Sequence, residues 1–176
     1  MSDRIQGPAA TREPSGWLWL PVTVAVIALD QLVKLWLVAH LALYRPVRLL
    51  PVLDITLTYN SGAAFSFLAE ASGWQKWLFA GLAVAVGVAI VLWLRRLGAR
   101  RQWLLCLSLT LILGGALGNL IDRLRIGHVV DFILVHWHGT YFPWAFNVAD
   151  SAITVGAVLL LIDAWLESRG STKENV

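Results

Sequence analysis

The 176-residue sequence predicts an all-α membrane protein of four transmembrane helices with a small β element on one end. Three observations lead there. Hydrophobic residues make up 58% of the chain and charged ones 14%, against about 45–50% and about 25% in a soluble domain. The apolar residues gather in four stretches near the roughly 20 residues that cross a bilayer. Between the first two stretches lies a short run of period 2, the alternation of a strand. This composition excludes an ordinary soluble globule, a disordered chain and a disulfide-rich secreted scaffold. Cys106 is the single cysteine, so packing and backbone hydrogen bonds must hold the fold.

The first segment, 1–16, mixes Pro, Gly, Ser and charge without periodicity and reads as a disordered tail. Trp17–Ala39 is the first helix. Its polar C-terminal end and the lack of a small-residue cleavage site make it a permanent anchor, not a removable signal peptide. Trp77–Leu94, Trp103–Ile121 and Phe146–Leu166 are the other three, so that 17–167 forms one integral-membrane domain and 168–176 a second tail. Arg4, Arg12, Arg95, Arg96, Arg100, Arg101, Arg169 and Lys173 lie in the tails and the middle loop. They outnumber Arg45, Arg48, Arg123 and Arg125 in the other two segments. The positive-inside rule therefore makes both termini cytoplasmic and places 40–76 and 122–145 on the opposite side. Trp17, Trp19, Trp93, Trp103 and Trp165 mark one interface, and Trp36, Trp74, Trp77, Trp137 and Trp144 the other. Membrane orientation accounts for the net charge of +3, and no nucleic-acid partner is expected.

Within 40–76, Asp54-Ile-Thr-Leu-Thr-Tyr59 alternates polar and apolar residues, which suits a strand with Ile55, Leu57 and Tyr59 on one face. A turn follows at Asn60-Ser-Gly62, and Pro46 and Pro51 oppose a helix upstream. The segment 122–145 is broken by Gly127, Gly139 and Pro143 and holds His128, His136 and His138.

Ionisable groups in hydrocarbon are costly, so each is a candidate functional residue. Asp30 and Lys34 fall in the outer half of the first helix, Asn119, Asp122 and Arg123 at the outer end of the third, and Asn147 and Asp150 in the first turn of the fourth. An up-down topology brings them to one level, together with Asn60 and Asp131 from the connecting segments. Asp30 has Lys34 four residues on, and Asp122 adjoins Arg123. Asp131 and Asp150 have no such local cation. Two carboxyls close together in apolar surroundings tend to share one proton, the arrangement by which a carboxyl pair activates water against an amide. The alternative is a pair of buried polar residues tying helices together. Gly114 and Gly118 have the small-xxx-small spacing of close helix contact. Asn119 with Arg123, and Asn147 with Asp150, share helix faces and suit either a peptide backbone or interhelical hydrogen bonding.

Five ordered blocks carry a resemblance to a known family: Asp30-Gln-Leu-Val-Lys34, Asn60-Ser-Gly-Ala-Ala-Phe65, Gly114-Gly-Ala-Leu-Gly-Asn-Leu-Ile-Asp-Arg123, Val129-Val-Asp-Phe132 and Phe146-Asn-Val-Ala-Asp150. In order and spacing the sequence resembles bacterial lipoprotein signal peptidase, or signal peptidase II. The resemblance implies four helices and a periplasmic β-cradle between helices 1 and 2. It implies an aspartic endopeptidase of the bacterial inner membrane that removes the signal peptide of a prolipoprotein just before a Cys bearing a diacylglyceryl group. Asp131 and Asp150 match the catalytic dyad, and Asn60, Gly62, Asn119, Arg123 and Asn147 match site-lining positions. Asp30, Lys34 and Asp122 match positions of architectural role. The implied partners are the lipidated prolipoprotein, membrane lipid and a globomycin-type inhibitor, with the enzyme a monomer. The two acids activate water themselves, so no metal or other cofactor is expected.

Three rivals predict other features. A proton-coupled transporter needs acids near the midplane, whereas these cluster at one end. A metallopeptidase would use His136 and His138, but no H-E-x-x-H helix is present and an H-x-H pair beside Trp137 suits an interface. A Ser/Lys peptidase needs a neutral Lys34, and Asp30 favours its charged form.

Overall fold

The computed structural model describes residues 13–61, 73–137, 140–141 and 145–174. A 3-10 turn, Gly16–Trp19, leads into α1, Leu20–His40, followed by β1, Val47–Leu50, and β2, Leu53–Asn60. Next come α2, Gln75–Arg96, and α3, Trp103–Ile126. The strands β3, Val129–Trp137, and β4, Thr140–Tyr141, precede α4, Val148–Glu174. All four helices are long and apolar enough to cross a membrane.

Helix α3 is the central element: it packs against each of the other three and is the most buried of the four. Its small residues explain why. A Cβ on Gly114 would sit 2.7 Å from the Cβ of Val26, and one on Gly118 would sit 2.9 Å from an Asp30 carboxylate oxygen. These two glycines of the anticipated small-xxx-small pair thus receive α1. Gly118→Ala is expected to displace Asp30 and to lower the unfolding temperature in detergent, at a cost of about 1–3 kcal/mol. An unchanged melting curve would show that α1 and α3 do not need this close approach.

Helix α3 runs to Ile126, one turn past the expected Ile121, because nothing breaks it before Gly127, which caps it in the left-handed region at φ 84°. Helix α4 likewise continues to Glu174, through most of the expected tail. Residues 13–16, expected within the disordered N-terminal tail, are paired with the α2–α3 turn. Glu13 accepts hydrogen bonds from the backbone N–H of Arg100 at 2.9 Å and Arg101 at 2.7 Å, and Ser15 bridges Gly98. The indole N–H groups of Trp17 and Trp19 donate to the carbonyls of Val91 and Ala99.

At the other end lies an antiparallel sheet in the order β1-β2-β3-β4. It is larger than the 40–76 segment alone could make, since β3 and β4 come from between α3 and α4. The single-face reading of β2 is overturned. Its register shifts between Ile55 and Thr58, a bulge that breaks strict alternation. Leu57 is buried, Tyr59 is exposed, and the polar Asp54 and Thr56 are buried. Asp54 pairs with His136 Nε2 at 3.2 Å. His136 is therefore a buried residue of β3 and not an interfacial one, because its strand turns it into the sheet's covered side. His138 lies outside the described residues.

Candidate active site

The second residue before α4 fixes the site's geometry. Phe146 bridges Ile133: the N–H groups of Phe132 and Ile133 both donate to its carbonyl, and its own N–H donates to the carbonyl of Ile133. This staple holds the start of α4 against β3. Asn147 then caps the helix, with its Oδ1 accepting the N–H of Asp150 at 2.8 Å while Asp150 Oδ2 accepts the N–H of Asn147 at 3.3 Å. That reciprocal pair is a capping box, formed by an N-cap residue and the third residue of the helix.

With Oδ1 committed to the backbone, the Asn147 amide must point its Nδ2 the other way. It donates to Asp131 Oδ1 at 2.7 Å and approaches the Val130 carbonyl at 3.2 Å and Asn119 Oδ1 at 3.1 Å. Asn119 is oriented by a cation in the same way. Lys34 Nζ donates to its Oδ1 at 3.1 Å, so its Nδ2 faces Asp150 Oδ1, at 2.7 Å. From β2, Asn60 Nδ2 donates to Asp131 Oδ2 at 2.9 Å. Asp131 and Asp150 are thus joined through two asparagines at one end of the bundle. Asp131 is buried and Asp150 half-buried. Burial above all, with the nearby Asp150 charge, pushes the Asp131 carboxyl up to about 7, against the opposing hydrogen bonds from Asn60 and Asn147.

Behind the two acids lies a buried ion cluster. Lys34 Nζ is 2.8 Å from Asp30 and 2.7 Å from Asp122, and each aspartate holds one backbone amide. Asp30 Oδ1 accepts the N–H of Ala149 at 2.9 Å, and Asp122 Oδ2 that of Val130 at 3.1 Å. Ala149 immediately precedes Asp150, and Val130 immediately precedes Asp131. One lysine therefore ties together the two carboxylates that set the backbone positions of both acids.

A family model described as Signal peptidase (SPase) II matches residues 22–166, a stretch that contains every one of these groups. The chain belongs to the signal peptidase II family. Lipoprotein signal peptidase of Pseudomonas fluorescens is 56% identical over 149 residues, 84% of this chain and 86% of the relative. That of Pseudomonas aeruginosa is 56% identical over 148 residues, with the same shares covered. Two solved structures, each described as a bacterial membrane enzyme, align with TM-scores of 0.73 and 0.76 at 31% and 30% identity. The first covers 83% of this chain and 91% of its own, the second 92% and 96%. The protein is a membrane enzyme of the aspartic peptidase class.

Of the residues that the family motifs singled out, Asn60, Asn119, Asn147, Asp131 and Asp150 form one connected network. Arg123 stands beside it, with its guanidinium over the Phe79 ring at 5.1 Å and a hydrogen bond to the Asn119 carbonyl at 3.3 Å. Gly62 lies outside the described residues. Asp122 pairs with Lys34, not with the adjoining Arg123, because neighbouring residues on a helix point about 100° apart. Gln31 escaped the sequence reading, although its Nε2 approaches Asp122 at 2.9 Å, the Gly118 carbonyl at 3.2 Å and Asp30 at 3.2 Å. Its place between Asp30 and Lys34, in an otherwise apolar span, was the available signal.

Proposed function

We propose that Asp131 and Asp150 are the catalytic dyad of a lipoprotein signal peptidase that cuts prolipoproteins on the N-terminal side of a diacylglyceryl-bearing Cys. The observation that carries this reading is the convergence of two acids, from a strand and a helix start, on a shared pair of asparagines. The dyad holds one proton. Its ionised member takes a proton from water as the oxygen attacks the amide carbon, and its protonated member donates to the carbonyl oxygen. Collapse of the tetrahedral intermediate passes a proton to the departing Cys amine. Asn60, Asn119 and Asn147 hold the carboxyls in register, and Arg123, on its Phe79 platform, offers donors to substrate carbonyls.

Depth supports the substrate. The acids lie at the sheet end of the spans, where water has access while the acyl chains of a lipidated Cys remain in the bilayer. In this reading both termini are cytoplasmic, the sheet faces the periplasm of a bacterial inner membrane, and a globomycin-type peptide blocks the dyad.

The test is cleavage of a diacylglyceryl-modified prolipoprotein by the purified enzyme, with Asp131→Asn and Asp150→Asn compared, with and without chelator. Both variants are expected to be folded and to lose at least about 10³-fold in turnover, at the scale of losing a general acid or base. Chelator is expected to change nothing. Near-normal turnover in either variant overturns the assignment. The pH profile gives a second check: because the Asp131 carboxyl is raised to about 7, kcat/KM is expected to fall as pH rises past neutrality and the shared proton is lost. A rate that stays level to pH 9 would mean that no such proton is used.

A further inference from the structure

The ion cluster behind the acids leaves one carboxylate oxygen that Lys34 does not serve. An ammonium has three protons to give, and the three acceptors around Lys34 Nζ are Asp30 Oδ2 at 2.8 Å, Asp122 Oδ2 at 2.7 Å and Asn119 Oδ1 at 3.1 Å. Asp30 Oδ1 holds the N–H of Ala149, and Asp122 Oδ2 holds that of Val130 as well. Asp122 Oδ1 remains. Its hydrogen-bond donor among the described residues is Gln31, whose Nε2 stands 2.9 Å away.

The two carboxylates are therefore fixed in different ways. Asp30 is held at both oxygens, by Ala149 on one and Lys34 on the other, so its plane is set without further help. On Asp122 both Lys34 and the Val130 amide meet the same oxygen, Oδ2. A carboxylate held at one oxygen is free to turn about its Cβ–Cγ bond, a torsion with only broad preferences. The Gln31 bond at Oδ1 removes that freedom.

Gln31 is itself oriented from both ends. Its Nε2 faces Asp122 Oδ1, the Gly118 carbonyl at 3.2 Å and Asp30 Oδ2 at 3.2 Å, while its Oε1 accepts from Arg125 Nη1 at 3.4 Å. Turned over, the amide would set its oxygen against two carboxylates and its NH2 group against a guanidinium. From Asp122 the effect runs to one acid. Val130 is bound at its N–H by Asp122 and at its carbonyl by Asn147, and the next residue is Asp131. Ala149, which precedes Asp150, is held by Asp30 instead.

We propose that Gln31 is a positioning residue for the peptidase reaction: it locks the plane of the Asp122 carboxylate, which fixes the Val130 backbone and so the place of Asp131. The proposal rests on the reading of Asp131 as one of the dyad, and two amide signals test it apart from that reading.

The full chain would be purified in detergent with 15N-labelled valine and alanine, as wild type and as Gln31→Met, which keeps the length of the side chain and removes its amide. The Val130 amide proton is expected to move upfield as its bond to Asp122 loosens. The Ala149 amide is expected to stay in place. With a diacylglyceryl-modified prolipoprotein, kcat is expected to fall by about 10–100-fold, the scale of a small misplacement at a reacting group, with KM within about twofold. Gln31→Asn, one methylene shorter, is expected to match it and serves where the methionine variant does not fold. An unmoved Val130 signal overturns the proposal, since Asp122 would then keep its plane without Gln31. Equal movement of Val130 and Ala149 overturns it too, because the whole cluster would have loosened. So does a shifted Val130 with unchanged kcat. A failure of the dyad reading is told apart by Asp131→Asn, which would then keep its turnover while the Val130 shift in Gln31→Met persists.

Discussion

Asp131→Asn is expected to destroy cleavage and at the same time to make the protein more stable at pH 8. The Asp131 carboxyl titrates near 7 in the fold, against 3.8 for an ordinary aspartate. A folded-state value above the unfolded one means that the native protein binds this proton more tightly. Below about pH 4 both states are protonated and the group has no effect on stability. Between about 4 and 7 the unfolded chain has released its proton while the native one retains it, so each unit of rising pH costs roughly 1.4 kcal/mol. Above 7 the penalty is constant. Asparagine does not ionise and removes it. Asn60 and Asn147, which both donate to this carboxyl, then face a side chain with one acceptor oxygen instead of two. After that loss, a net gain of about 1–3 kcal/mol is expected at pH 8 and none at pH 4. Thermal unfolding in detergent at the two pH values measures it. A variant that melts below wild type at pH 8 would mean that Asp131 is held for its hydrogen bonds and not against its charge.

Lys34→Met is expected to have the largest effect on the fold itself. Lys34 is 2% exposed and lies within 2.8 Å of two aspartates, both of them buried. Removing one partner of a buried ionic group leaves charge uncompensated, at a cost of about 3–5 kcal/mol. The loss spreads to both acids. Asp30 and Asp122 hold the amides of Ala149 and Val130, and Asn119 loses the cation that orients its amide toward Asp150. Cleavage is therefore expected to fall even at temperatures where the variant remains folded. Returning the cluster to its original formal charge with Asp122→Asn alongside Lys34→Met is expected to recover part of the stability. Native-like melting and turnover in the single variant would show that the two aspartates find other partners.

Much of this was legible in the sequence because it depends on local or additive properties. Four spans follow from transfer free energies summed along the chain, and the gathering of Asp30, Asn119, Asp131 and Asp150 at one end follows from counting residues within each span. Partner choice is different in kind. Asp122 adjoins Arg123 in the chain, yet it pairs with Lys34 on another helix, and Glu13, read as part of a tail, ties down the turn before α3. Gln31 stands out as a polar residue between Asp30 and Lys34, but its partners, the Gly118 carbonyl and Asp122, are fixed only when α3 closes against α1.

What the sequence alone determined is the set of apolar spans and the end of the spans at which each polar group lies, quantities set by hydrophobicity and a rise of about 1.5 Å per residue. The tertiary structure alone decided which polar groups meet. It did so through the Phe146 staple on β3, the bulge in β2 and the close approach at Gly118. Each of these joins residues far apart in the chain, and a hydrogen bond of under 3 Å depends on the relative placement of whole elements, which no local pattern of residues specifies.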